Sequence, residues 1–459
     1  MRVWWGLRMS GAVVWVDVED FLHYFSWNPR PSGIQRLSFE LMGGLREALG
    51  GRVRFVRHGA GLLQEVGWAV VAAAYRGEAA RAAAPRFVGA SQYRRSWALR
   101  VIEALPAGLQ APVRQAALAQ RQAVRQARVV VRAVRQRRRV RRPIASGAAA
   151  GIGAGDCLLV LGAPWEISGH SEVVAACKRR FGVSAFLLVY DLIPVRHPEW
   201  CTEAATRQFV AWMEGIGVYD GLFAISAHTA DDLAAYGRER GWEIGRAEVI
   251  PVGSDLVAGP GAEVGEAPGL PRAGSYVLVV CTLEARKNHA LAVRVWQMLA
   301  EDVRAGRRGE MPDLVFAGRV GWMVNDLLEQ LENTGWLGGR VLLVSDPSDR
   351  ELRALYAGCQ FTLFPSWFEG LGLPVMESLA FGRPCLASDA TAIPEAGGKL
   401  CRYFSPGDAR GAYRAVLSVL DDPAGLAEWE GRIAAEYRRV PWSAAVGVMV
   451  GRIFGQLRA

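Results

Sequence analysis

Two carboxylates close the stretch Glu369-Gly-Leu-Gly-Leu-Pro-Val-Met-Glu377 at its two ends. The apolar Phe361-Thr-Leu-Phe364 before them reads as a buried strand end, and Val375, Leu379, Ala380 and Gly382 after Pro374 suit a packed helix. Strand, glycine turn, Pro in the first helical turn and helix together aim free backbone N–H groups and a positive dipole end at whatever sits above the sheet. A phosphate or a sugar hydroxyl fits there. The spacing predicts Glu369 on the loop and Glu377 within the first turns of the helix, both facing one crevice. The plainer reading is an ordinary loop–helix with solvated carboxylates. It leaves unexplained Gly370, Gly372, Pro374 and the helix stop and new strand of Ala380-Phe-Gly-Arg-Pro-Cys-Leu-Ala-Ser-Asp389.

A second constellation is Cys281-Thr-Leu-Glu-Ala-Arg-Lys-Asn-His289, between a strand and a helix. Arg286 and Lys287, adjacent cations at a strand's carboxyl end, suit neutralisation of a diphosphate. Fixed cations contribute most where a leaving group gathers negative charge. The alternative is a solvated charge pair with Asn288 capping the helix, and both can hold. Lysine is scarce in this arginine-rich chain, occurring only at 178, 287 and 399, which sets Lys287 apart.

The elements that must position these groups alternate. Val13–Val18, Leu158–Gly162, Ala185–Tyr190, Gly221–Ser226 and Ala247–Gly253 are apolar runs of buried-strand type. Helical period appears in Ile34, Leu37, Leu41 and Met42, and helices are predicted over 202–213 and 229–238. A Gly- and Pro-rich linker spans 259–274, and then the alternation restarts. Strands are predicted at 276–281, 314–318, 341–344 and 384–387, with helices at 291–299, 326–334 and 348–357. Two such halves imply two doubly wound α/β domains, 1–258 and 275–440, with ligands beyond the strands' carboxyl ends, in the cleft between them. A last helix is predicted within 441–459.

The Glu-x7-Glu pattern within Glu-Gly-Leu-Gly-Leu-Pro-x-x-Glu resembles the donor-site signature of the retaining glycosyltransferases of family 4, which have the GT-B fold of two Rossmann-like domains facing a cleft. The resemblance covers about 11–45, 156–256 and 275–420, and it carries roles with it. Glu377 would hold the ribose hydroxyls of a nucleotide, and Glu369 would touch the transferred sugar. The backbone of Gly370, Leu371, Gly372 and Leu373 would contact sugar and phosphate, and Arg286 and Lys287 the donor's phosphates. Gly33, in Pro-Ser-Gly-Ile-Gln-Arg, resembles the family's glycine loop, which approaches the phosphates from the opposite domain; a turn before a helix is the other reading. In Val189-Tyr-Asp-Leu-Ile-Pro194, Tyr190 stands where many relatives carry His, and Asp191 is the candidate for acceptor or sugar contact. His197 reads as a structural loop residue, and Ser226-Ala-His-Thr229 as a helix cap. In this fold the last helix returns to the first domain.

The 459 residues and 51% apolar content allow two or three domains with large cores. Seven scattered cysteines without Cys-x-x-Cys suggest neither a disulfide framework nor a zinc site. No cofactor and no metal are expected, since side-chain cations stand in for the Asp-x-Asp metal motif. No apolar run reaches the roughly 18–20 residues of a membrane span, and the first residues lack a signal-peptide pattern. A cytoplasmic protein is expected. The net charge of +9 belongs to one segment: removing the 11 arginines between 111 and 142 leaves −2. This segment lies in an insertion at about 60–150 without a counterpart in the family. Its arginines fall at helical spacing, which fits either a helix on an anionic membrane surface or a solvated basic helix. With no aromatic residue in that stripe and no nucleic-acid motif, no nucleic-acid partner is expected. The expected activity is transfer of a hexose, with retention, from a nucleotide sugar, GDP-mannose before UDP-glucose, to a polysaccharide or lipid-linked oligosaccharide. The alternative is a catalytically inactive GT-B module that binds glycans or scaffolds a complex.

Overall fold

The computed structural model describes residues 11–28, 30–59, 62–76, 86–88, 106, 109, 151–254 and 269–456. The Arg-rich stripe and most of the 259–274 linker lie outside these.

Two seven-stranded sheets organise the chain. The first runs β3 (Leu62–Val66), β2 (Val53–Gly59), β1 (Val14–Asp17), β5 (Cys157–Val160), β6 (Ser184–Val189), β7 (Gly221–Ala224), β8 (Glu248–Val249). The second runs β14 (Arg402–Phe404), β13 (Cys385–Ser388), β12 (Thr362–Phe364), β9 (Tyr276–Val280), β10 (Asp313–Gly318), β11 (Val341–Ser345), β4 (Arg86–Val88). All pairings are parallel except β2–β3 and β11–β4. The central strands are buried on both faces, which is why they read as unbroken apolar runs. In both sheets the order reverses beside the first strand of the half: between β1 and β5 in one, between β9 and β12 in the other. Such switch points open a crevice at the strands' carboxyl ends.

Two boundaries differ from the sequence reading. The insertion does not begin at 60. Leu62–Val66 closes a hairpin with β2, and the helix Trp68–Arg76 buries Val71 in the core of the first half. Further on, the backbone of β4 joins the second sheet, antiparallel to β11, so this segment serves both halves. The last helix, Trp442–Gln456, lies on the first half: Trp442, Val446, Met449, Ile453 and Phe454 enter the core built by β1, β2 and the helix Gly33–Leu49. Burying each such side chain is worth about 1.5–3 kcal/mol, so the chain's end ties the two halves together. Among the described residues no helix is long and apolar enough to cross a membrane.

Candidate active site

The second sheet's switch point brings the two sequence constellations together. After β9 the chain enters a short 3-10 turn, Ala285–Lys287, and passes Asn288, held at φ +55°, into the helix His289–Arg304. After β12, residues 365–372 form a loop that ends at Gly372, whose φ of +107° only glycine adopts readily, and Pro374 follows at the start of the helix Leu373–Ala380. The two loops are stitched together. Trp367 N–H donates to Arg286 O at 2.9 Å, and Asn288 Nδ2 donates to Pro365 O at 3.0 Å. Asn288 therefore makes no side-chain cap on its own helix, which corrects the expectation from sequence: its amide is spent holding the neighbouring loop.

Arg286 and Lys287 are not a solvated pair. Their side chains are 15% and 12% exposed, and both turn to Glu369. Lys287 Nζ lies 2.6 Å from Glu369 Oε1, and Arg286 Nη1 2.8 Å from Oε2. Arg286 also pairs with Glu284 at 2.6 Å and donates to Phe368 O at 2.5 Å. Burial alone would raise the Glu369 carboxyl, but the two cations outweigh it and hold it at about 2. The same carboxylates push the Arg286 guanidinium upward against its burial. Behind Glu369, Thr391 bonds both its backbone N–H and its carbonyl at 3.0 Å, fixing the loop.

Glu377 sits differently. It is buried in the helix, and its Oε2 accepts from Tyr356 Oη at 2.7 Å. Burial raises its carboxyl to about 7 despite that bond. Tyr356, on the helix Asp349–Gly358, is stacked on Phe381. Glu369 and Glu377 line one cleft of about 490 Å³ between the two halves, together with Arg286, Lys287 and residues 370–373.

From the first half, Gly33, Arg36, Tyr190 and Asp191 line the same cleft. Asp191 Oδ1 accepts from Ile193 N–H at 3.0 Å, and burial raises its carboxyl against the pull of Arg286. Gly33 faces the Leu373 side chain, which a Cβ on the glycine would meet at 3.4 Å, an ordinary contact. Tyr190 sends its hydroxyl into the core: it donates to Leu161 O at 2.6 Å and lies 3.0 Å from Ser38 Oγ. Gly370 packs against Tyr190 so closely that a Cβ would stand 2.1 Å from the Tyr190 carbonyl.

The halves are in direct contact around the cleft. Thr229 Oγ1 reaches Tyr190 O at 3.1 Å and Gly370 O at 3.2 Å. Ser226 caps its helix as expected, and Glu395 from the other half accepts from the N–H groups of Ala227 and His228 at 2.7 and 2.8 Å. Arg36 reaches Asp349 at 2.5 Å. Arg36, Tyr356, Glu284 and Thr391 were not singled out from sequence. Arg36 had a signal, standing one helical turn beyond Gly33; Tyr356 had none, since its partner is 21 residues away in another element.

Residues 274–422 match the family model described as glycosyl transferases group 1. The serotype-specific mannosyltransferase WbdA of Escherichia coli is 30% identical over 261 residues, covering 54% of this chain and 31% of that protein. The O-antigen chain mannosyltransferase B of Escherichia coli is 29% identical over 167 residues, covering 36% of this chain and 42% of that protein. The chain thus spans less than half of these relatives' lengths. The solved structure of Anabaena Alr3699/HepE in complex with UDP superimposes with a TM-score of 0.50 at 12% identity, covering 97% of this chain and 98% of that one. The architecture is GT-B, and residues 274–422 are similar to the glycosyl transferases group 1 family.

Proposed function

We propose that this chain is a retaining glycosyltransferase of family 4 type. It moves a hexose, mannose before glucose, from a nucleotide sugar to a growing polysaccharide or lipid-linked oligosaccharide. The observation that carries this reading is the convergence of Arg286, Lys287, Glu369 and Glu377 on one interdomain cleft at the switch point of the group 1 domain. The mannosyltransferase relatives support mannose as the sugar, and GDP is our choice of carrier.

In this reading the nucleotide's ribose hydroxyls donate to Glu377, and its diphosphate lies at the start of the helix Leu373–Ala380, near Lys287. As the glycosidic bond breaks, charge grows on the β-phosphate, and a preorganised ammonium stabilises that charge without reorganisation. Arg286, largely consumed by Glu284, Glu369 and the Phe368 carbonyl, mainly holds the loop that presents Glu369 to the sugar. Asp191 faces the same space from the acceptor side. The acceptor oxygen attacks from the face the diphosphate leaves, and the departing phosphate takes its proton. The Arg-rich segment 111–142 would bring the enzyme to an anionic membrane surface on the cytoplasmic side.

The experiment is proton NMR of the full chain with GDP-mannose, or UDP-glucose, and mannan-type oligosaccharides. An axial product linkage from an axial donor supports the proposal. Binding of nucleotide with no consumption of any donor favours the inactive module.

A further inference from the structure

The first sheet has a switch point of its own, between β1 and β5, and a second cluster of chemical groups stands there. Asp17 ends β1, His58 lies near the carboxyl end of β2, and His170 opens the helix that follows β5. His58 Nε2 is 2.9 Å and His170 Nε2 3.2 Å from the same carboxylate oxygen, Asp17 Oδ2. The three ligand atoms lie within 4.8 Å of one another. We infer that Asp17, His58 and His170 form a binding site for a divalent transition-metal ion of the zinc class, separate from the donor-binding residues.

Four observations lead there. The donor set of two imidazoles and one carboxylate is the kind that zinc takes, with a fourth position left for water or a substrate oxygen. Bonds of about 2.0–2.1 Å at tetrahedral angles put ligand atoms about 3.4 Å apart; the two nitrogen–oxygen separations need open by only a few tenths of an ångström. The outer partners are in place: Asp17 Oδ1 is occupied by the Glu19 N–H at 2.9 Å, which leaves Oδ2 for an ion, and His170 Nδ1 lies 3.3 Å from Tyr219 Oη. Finally, Asp17 and His170 have side chains 1% and 2% exposed, while His58, at 17%, is the more accessible of the three. Without an ion, the two imidazoles hydrogen-bond directly to Oδ2. Position favours the ion: crevices outside the carboxyl ends at a switch point are where doubly wound sheets hold ligands.

The test uses the untagged full chain, purified without chelators or immobilised metal, then titrated with Zn²⁺ and separately with Co²⁺. About one equivalent of zinc by elemental analysis, a Zn²⁺-dependent rise in melting temperature and the visible absorption of a four-coordinate Co²⁺ centre are expected. Asp17→Asn and His170→Gln should lose ion and spectrum while keeping wild-type circular dichroism; His197→Gln should keep all of them. Wild-type protein that neither carries nor takes up either ion overturns the inference, and so does uptake unchanged in Asp17→Asn. None of these readouts depends on glycosyl transfer, so this inference and the proposed function can fail separately.

Discussion

Lys287 Nζ and Glu369 Oε1, from loops after different strands, lie 2.6 Å apart at the floor of the cleft. The pair is largely shielded from water, and the carboxylate is also held by Arg286. Glu369 is therefore a charged group whose ionisation helps to hold the two loops together. Its folded pKa, about 2, lies below the ordinary 4.5. The stabilisation is thus present above the unfolded value and is lost as pH falls towards the folded one.

Glu369→Gln should lower unfolding stability by about 3 kcal/mol at neutral pH, because two buried cations lose their partner. Urea unfolding at pH 7 and at pH 3.5 measures this, and the difference between wild type and variant should be smaller at the lower pH. An equal difference at both would show that the carboxylate's charge is not what stabilises the loops.

Lys287→Ala should lower kcat by about 10²–10³-fold, with a smaller change in nucleotide affinity, if the ammonium acts mainly on charge that develops during transfer. Steady-state rates and calorimetric affinities separate the two effects. Equal losses in both would make Lys287 a ground-state binder.

The Glu377 carboxyl is shifted in the opposite direction. Burial raises its carboxyl to about 7 in the free protein, and ribose hydroxyls donate better to the ionised form. Nucleotide affinity should rise with pH through about 7. Glu377→Gln should weaken binding and abolish the Glu377 part of that slope. Calorimetry from pH 6 to 8 on both proteins, with free nucleotide and with a nucleoside as a phosphate-free control, checks this.

Gly370→Ala should force the halves apart, because the new Cβ meets the Tyr190 carbonyl at 2.1 Å. A loss of about 1–3 kcal/mol is expected from the overpacking, together with a larger radius of gyration in solution scattering. Tyr190→Phe is the contrasting variant. It deletes a hydroxyl bonded to Leu161 O and Ser38, so it should cost about 1–2 kcal/mol yet leave turnover near wild type. A collapse of turnover at wild-type stability would place that hydroxyl in the chemistry.

The strand–helix alternation was legible because strands buried on both faces, such as Cys157–Val160 and Tyr276–Val280, leave unbroken apolar runs. Glu369, Glu377, Arg286 and Lys287 were legible because their loops carry local glycine, proline and charge signals. The helix Glu19–Trp27 was missed: it begins two residues after β1 with no turn residue and no side-chain cap. The hairpin β2–β3 was missed because half of it faces solvent and its runs are broken by charge. Groups assembled by topology left no local mark. Tyr356 meets Glu377 across 21 residues, and Asp17 meets His58 and His170 across 41 and 153. The solvated-pair reading of Arg286 and Lys287 fails because their shared partner, Glu369, comes from a different strand's loop.

Titration calorimetry of GDP and UDP into the wild-type chain and into Glu377→Gln bears most directly on the claim that this cleft holds a nucleotide-sugar donor. The expected result is about one site per chain for one of the two nucleotides, GDP before UDP, with affinity reduced at least tenfold in the variant, about 1.4 kcal/mol or more. Absence of heat with either nucleotide, or equal affinity in both proteins, would contradict a donor site in this cleft.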